Sequence, residues 1–423
     1  MLPEVAVIGL GRIGLPLAIS FADRGLNVLG IDKDAQRLRA VEDAQMPFQE
    51  PGAQEALERV RAAGRLAVSD RVADAAAAEH IVITLGTPSF SHIEIDIGDI
   101  RSALDDLLGL LRPGHALTLR STIAPGTTDF VAGYLAKHCN FVIGEDVFVA
   151  HCPERIAAGH FMEEIQSLPC IVGGVGEESG ERVGALFSVF GAPIVQTSPV
   201  QAELAKIWTN ILRYAHFALP NLLMMDCEQH GANVFDVIDL INRDYPRGGI
   251  AMPGLTGGTC LRKDFAFSEE RSNAPGMLLA VSRVNESVPL FLVEGMKRRI
   301  GSLNGRKIAV LGLAFKGNTD DERDSLAYKL VRLLERELAD VVAHDPRVAT
   351  PTAPFEQVVA GAEAIVVAAN HDEFRGVGPL RLIAELARDD ALIVDPWNCF
   401  GAAQVFAYVT ELSAITNGRV ALP

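Results

Sequence analysis

Basic residues are in deficit. The 423-residue chain carries 38 Lys and Arg against 54 Asp and Glu, a net charge of -16. That balance excludes a basic nucleic-acid-binding surface as the default. It also repels anions at long range, so any phosphate site must be built locally from amides, Arg and Lys. No uninterrupted apolar run reaches the roughly 18 residues of a membrane span. The start, Met1-Leu2-Pro3-Glu4, enters a strand pattern with no charged and then apolar leader, so a cytoplasmic protein with no membrane partner is expected. The six cysteines, Cys139, Cys152, Cys170, Cys227, Cys260 and Cys399, include no Cys-x-x-Cys pair, which points to reduced thiols rather than a disulfide framework. His151-Cys152 is not followed by further ligands at a useful spacing, so no metal is assigned. Low-complexity linkers are also missing.

What remains is a composition suited to large cores, 49% hydrophobic and 22% charged, with two or three domains expected at roughly 150 residues each. Strand-like runs alternate with helical patterns through the first 200 residues, at Val5 to Ile8, Asn27 to Ile31, His80 to Leu85, Ala116 to Leu119 and Asp146 to Ala150. This alternation predicts a parallel, doubly wound sheet. From about Val200 to Ile300 the periodicity becomes helical. After Asn304-Gly305, the run Lys307 to Leu313 repeats the flavour of Glu4 to Leu10, and strands return at Val341 to His344, Ala364 to Ala368 and Ala391 to Val394. The expected fold class is therefore α/β, with two Rossmann-like doubly wound domains, 1–199 and 301–423, joined by a helical region over 200–300.

Gly9-Leu10-Gly11-Arg12-Ile13-Gly14 follows a hydrophobic strand and opens a helical pattern, and Asp32 ends the next strand. Gly9 permits the tight turn, Gly11 lets the backbone approach a pyrophosphate, and Gly14 lets helix and strand pack closely. The helix N-terminus then faces the anion. Asp32 is suited to the adenine ribose diol and repels a 2'-phosphate, favouring NAD over NADP.

Gly257-Gly258-Thr259-Cys260-Leu261-Arg262-Lys263-Asp264 places a thiol where a loop enters a helix. A thiol there ionises more readily, Arg262 and Lys263 are near enough to assist, and Asp264 shares its face at i+4. The alternative is a small buried hydrophobe. Glu203, Lys206 and Asn210 fall on one stripe of a helix. Lys206 and Asn210 are placed to donate to one developing oxyanion; alternatively Glu203 and Lys206 form a plain surface ion pair. Pro153-Glu154-Arg155 and Ser121-Thr122 follow strands at the end where open α/β sheets place ligands. There Glu154 and Thr122 are suited to hold a water and accept its proton, unless they are simply turn residues.

Together these segments resemble the UDP-glucose/GDP-mannose dehydrogenase family across essentially the whole chain. The carriers are Val7 to Ala18, Ser121 to Thr128, Pro153-Glu154-Arg155, Glu203 to Asn210, Gly257 to Asp264, and Gly312 to Ser325. The resemblance implies an N-terminal NAD domain, a central helical region forming a homodimer, and a C-terminal UDP-binding domain. It implies two successive oxidations of the 6-hydroxymethyl group of a UDP-sugar, with a thioester on the cysteine between them and the uronate released by water. Carried over residue by residue, Cys260 is the nucleophile. Lys206 and Asn210 stabilise oxyanions, Asp264 assists proton transfer, and Glu154 with Thr122 handles the water. Gly9, Gly11, Ile13, Gly14, Asp32, Thr87, Ser121 and Thr122 face the cofactor. Glu154, Arg155, Lys206, Asn210, Arg247, Gly257 and Lys316 face the substrate, with Arg247 reaching a sugar on the partner subunit.

Four departures bear on the substrate. Ala158 replaces the second Glu of glucose-type members, and with Gly159 it looks more like members acting on N-acetylhexosamine sugars, which usually carry Pro at Ala158. Lys263-Asp264 points the other way. Gly86 replaces a usual Pro before Thr87-Pro88, and Trp397 stands where many members carry Arg. UDP-N-acetylhexosamine, of N-acetylmannosamine or N-acetylglucosamine type, is placed ahead of UDP-glucose. A two-electron β-hydroxyacid dehydrogenase and a non-catalytic nucleotide-binding module are the readings from other classes. The former needs neither Cys260 nor a second α/β domain, and the latter predicts lost catalytic groups.

Overall fold

The computed structural model describes residues 2–87, 89–90, 94–246, 249–269 and 276–416. These fall into two compact units. The first runs to Thr209 and takes in residues 266–269; the second holds Asn210–Phe265 and the residues after 275.

The first unit is built on strands β1 (Val5–Ile8), β2 (Val28–Ile31), β3 (Leu66–Ser69), β4 (His80–Ile83), β7 (Ala116–Leu119), β8 (Phe148–His151), β9 (Cys170–Gly174) and β10 (Ile194–Thr197), with a short hairpin of β5 (Ser89–Phe90) and β6 (Glu94–Ile95) outside the sheet. The eight strands lie in the order β10-β9-β8-β7-β4-β1-β2-β3. Six are mutually parallel, and their order reverses at β1 and β4, the point where a doubly wound sheet opens a ligand crevice. The expected parallel sheet is thus present, extended by β9 and β10, which run antiparallel to β8. One apolar cluster around Leu15, Ile19, Phe21 and Phe187 covers one face, and another around Ile81, Leu104 and Leu135 covers the other. Burial on both faces explains why β1, β7 and β8 show no polar alternation.

The second unit carries β11 (Lys307–Leu311), β12 (Asp340–His344), β13 (Ala364–Val367), β14 (Leu392–Val394) and β15 (Phe406–Tyr408), in the order β12-β11-β13-β14-β15, with only β15 antiparallel. The sequence repeat is a structural one. Gly9 and Gly312 both have positive φ, +96° and +92°. Leu10 donates its amide to Asp32 at 2.7 Å, and Leu313 donates to Asp345 at 2.6 Å.

Helices dominate residues 199–300, as expected: Pro199–His230, Val234–Asn242, Thr259–Glu269 and Met277–Ile300. The first of these spans 32 residues. Among the described residues no helix is long and apolar enough to cross a membrane.

Candidate active site

In the first unit the glycine turn links β1 to helix Gly14–Asp23. A Cβ on Gly14 would lie 1.8 Å from the Gly9 carbonyl oxygen, so helix and strand meet at a distance only glycine allows. A Cβ on Gly11 would meet nothing within 4 Å, leaving the backbone open to a ligand. No side chain caps the helix start, at Ile13, and its first turn holds no acid. A helix start without a side-chain cap beside an open glycine is what a pyrophosphate requires, so these residues fit a dinucleotide. Asp32 is buried at the end of β2. Its carboxylate takes the Leu10 amide, the Asp34 amide at 2.9 Å and Arg37 Nη1 at 2.8 Å. Arg37 is a neighbour the sequence reading missed; its position five residues beyond Asp32 was the available signal.

Thr87 and Ser121 act first on the backbone. Thr87 Oγ1 donates to the Thr122 carbonyl at 2.6 Å, and Ser121 Oγ donates to the Leu85 carbonyl at 2.5 Å. They tie together the loops after β4 and β7, at the sheet end that carries Gly9. At Gly86 an added Cβ would meet nothing within 4 Å, and Pro88 lies outside the described residues.

Glu154 is buried in an ion pair with Arg120, Nη2 to Oε2 at 2.6 Å, and its other oxygen accepts from the Ile156 amide at 2.7 Å. Arg120 also donates to the Cys152 carbonyl, the Cys152 sulfur and the Pro153 carbonyl. Burial works against its charge, but Glu154 together with Cys152 and Cys170 outweighs burial and holds the guanidinium well above its ordinary value. Arg155 turns to the Pro169 carbonyl. His151 is a core histidine rather than a ligand: its Nδ1 lies 2.9 Å from the Leu119 carbonyl, and burial pushes its pKa down to about 3.

Helix Pro199–His230 carries Glu203, Lys206 and Asn210, all buried. The suggested Glu203–Lys206 surface pair is corrected. Glu203 accepts instead from the amides of Gly126 and Thr128, at 2.7 and 2.8 Å, and from the Thr128 hydroxyl at 2.6 Å. It thereby caps helix Thr127–Cys139, whose own N-cap glycine offers no side chain. Lys206 is 8% exposed and has no hydrogen bond or ion pair among the described residues. A buried ammonium left this way calls for an anion from outside the protein.

In the second unit Asn210 Nδ2 donates to Asp264 Oδ2 at 2.6 Å, and both residues are buried. Cys260 is exposed in the first turn of helix Thr259–Glu269. The loop before it is pressed against the Phe315–Ser325 segment. A Cβ on Gly257 would lie 2.7 Å from the Asp324 carbonyl, one on Gly258 would lie 2.7 Å from the Phe315 ring, and the Gly258 amide donates to Asp324 at 3.1 Å. Arg262, expected to assist the thiol, is committed to Glu286 at 2.6 Å and Asp324 at 3.4 Å. Arg323 interacts with Cys260 electrostatically, and a bidentate pair with Asp321 raises its own pKa.

Lys316 is half-buried in a loop anchored on the segment after β13. The Gly317 amide donates to Asn370 Oδ1 at 2.9 Å, and the Asn318 amide to His371 Nδ1 at 3.0 Å. Trp397 packs its ring on Gly254, where a Cβ would lie 2.4 Å away, and its Nε1 donates to the Ala368 carbonyl. Its departure from Arg therefore has a packing role. Arg247 lies outside the described residues.

Residues 3–191 match the NAD binding domain of the UDP-glucose/GDP-mannose dehydrogenase family, residues 200–287 its central domain, and residues 309–402 its UDP binding domain. The chain is 34% identical to a UDP-N-acetyl-D-mannosamine dehydrogenase of Pyrococcus horikoshii, over 88% of this chain and 91% of that one. Its fold is similar to the UDP-N-acetyl-mannosamine dehydrogenase structure from Staphylococcus aureus, with a TM-score of 0.84, 32% identity and coverage of 94% and 95% of the two chains. It is also similar to a UDP-glucose dehydrogenase from Pyrobaculum islandicum, with a TM-score of 0.82, 27% identity and 94% coverage of each chain. The chain belongs to the UDP-glucose/GDP-mannose dehydrogenase family and is an NAD-dependent UDP-sugar dehydrogenase.

Proposed function

We propose that the protein oxidises the C6 hydroxymethyl group of a UDP-N-acetylhexosamine to the uronate in two steps, with capture of the intermediate aldehyde on Cys260. The observation that carries this reading is Lys206, a buried ammonium without a counter-ion among the described residues, four residues before an Asn. NAD, when held at the glycine turn, would supply the hydride acceptor for both oxidations. Lys206 stabilises the oxyanion. Asn210, steadied by Asp264, offers its second amide hydrogen to the same oxygen. The Cys260 sulfur bonds to the aldehyde carbon while Asp264 handles the proton, and loss of the second hydride leaves a thioester. Glu154, held by Arg120, and Thr122 position the water that releases the acid. Thr87 and Ser121, with Gly9, Gly11, Ile13, Gly14 and Asp32, hold the cofactor. Arg155, Gly257 and Lys316 hold the nucleotide sugar, and Arg247 serves a substrate on a partner subunit.

An acetamido sugar is favoured by Ala158 and Gly159, and by the relative named for N-acetylmannosamine. UDP-glucose is the second reading, favoured by Lys263-Asp264 and by the Pyrobaculum structure. The division into 1–199, 200–300 and 301–423 is supported by family matches over 3–191, 200–287 and 309–402. A homodimer is supported by the exposed Leu204, Trp208, Leu212, Leu219 and Leu222 on one helix. A cytoplasmic location accords with a supply of NAD and with the free cysteines.

The test is NADH yield per limiting sugar with UDP-N-acetylmannosamine, UDP-N-acetylglucosamine, UDP-glucose and UDP-galactose, with product charge read by anion exchange. Two NADH and an acid from an acetamido donor are expected. One NADH per sugar would remove the thioester step, and two from UDP-glucose alone would overturn the acetamido assignment.

A further inference from the structure

Cys152 and Cys170 meet behind the Arg120–Glu154 pair. Antiparallel pairing of β8 and β9 sets His151 opposite Gly173, and Cys152, just past β8, reaches diagonally across to Cys170, which opens β9. Their sulfurs are 3.2 Å apart and share a hydrogen bond. Cys152 is fully buried, and Arg120 Nη1 sits 3.2 Å from its sulfur. Cys170 is half-buried and lines a cavity of about 20 Å³ with Arg120, Glu154, Ile165, Phe187 and Phe190. That space suits a molecule the size of water. None of the proposed oxidation steps uses either thiol.

We propose that Cys152 and Cys170 are a peroxide-reactive dithiol that closes to a reversible intrachain disulfide. One sulfur is reachable from a small cavity, the other is buried behind it, and a fixed cation sits against the pair, so the two have distinct parts. The hydrogen bond with Cys152, together with Arg120, lowers the Cys170 pKa against the opposing effect of burial; burial raises Cys152. Cys170 is thus the attacking thiolate and Cys152 the resolving thiol. The Cys170 sulfur attacks hydrogen peroxide, the O–O bond breaks, and a sulfenic acid forms as one water leaves. The Cys152 sulfur then attacks the Cys170 sulfur, the S–O bond breaks, and the thiol proton leaves with hydroxide as a second water. Two thiols are oxidised by two electrons in total, and one peroxide is reduced. The closed disulfide deprives Arg120 of a thiol partner directly beside Glu154.

The test treats full-length Cys260→Ser protein, in which the exposed thiol no longer competes, with hydrogen peroxide. Thiols are counted, and peptides are mapped without reduction. Loss of two thiols per chain is expected, with a link between the peptides ending at Arg155 and Arg182, reversed by dithiothreitol. Cys139 shares the first peptide with Cys152; the link persists in Cys139→Ser and disappears in Cys170→Ser. The map of the parent protein decides the matter even if a variant fails to fold. A link through Cys139, a sulfinic Cys170 beside an intact Cys152 thiol, or no thiol loss from the folded protein would each overturn the proposal.

Discussion

Asn210 gives its side-chain amide to Asp264 at 2.6 Å, with both residues withdrawn from water. Truncating the donor takes a hydrogen bond from a buried carboxylate, which costs about 1–3 kcal/mol and more where the group is charged. Asn210→Ala is therefore expected to lower both the melting temperature and kcat. A variant that melts like the parent and turns over normally would show that the bond carries neither role.

Lys206 has the opposite circumstance, a buried charge waiting for a partner. Lys206→Met keeps the bulk and removes the ammonium, relieving the apo protein of an uncompensated charge. The expected result is an unchanged or raised melting temperature together with a fall in kcat of about 10²–10³, the usual loss for an oxyanion donor. Calorimetry and NADH production on one preparation check both halves. A thermal loss matching the kinetic one would make Lys206 structural.

Asp345 is the second unit's counterpart of Asp32, but His371 Nε2 occupies its carboxylate at 3.1 Å. Burial alone would raise its pKa, yet the His371 contact and the amides of Leu313 and Ala314 outweigh burial and hold it well below the usual carboxylate range. A depressed carboxylate contributes stability that is present above its unfolded value, near about 3.9, and is lost as pH falls through the lower folded value. Asp345→Asn is expected to melt below the parent at pH 7, with the gap narrowing from about pH 4 downward. A gap that stays constant in an acid series of melting curves would contradict this.

The glycine turn and Asp32 were legible because that chemistry is local: a tight turn, a close helix and a strand end lie within one short segment. Contacts that join distant segments were not. Glu203 and Thr128 are separated by 75 positions, Arg120 and Glu154 by 34, and nothing in either local pattern marks one for the other. Strand β9 escaped notice because it ends in two glycines, which weaken a strand pattern. Edge strand β3 has only one fully buried residue, Leu66, so its apolar signal is faint. Arg262 lies two residues after Cys260 in sequence yet turns to Glu286 and Asp324, a choice of partner made by tertiary packing.

The packing of Trp397 on Gly254 has an optical consequence. The chain has only two tryptophans. Trp397 sits half-buried in the second unit, and Trp208 is 50% exposed in the first. Their emission therefore starts from different solvation. With Trp208→Phe, intrinsic fluorescence follows the second unit alone, and with Trp397→Phe it follows the first. Loosening of the UDP-binding half can then be timed separately from that of the NAD-binding half, with no label attached.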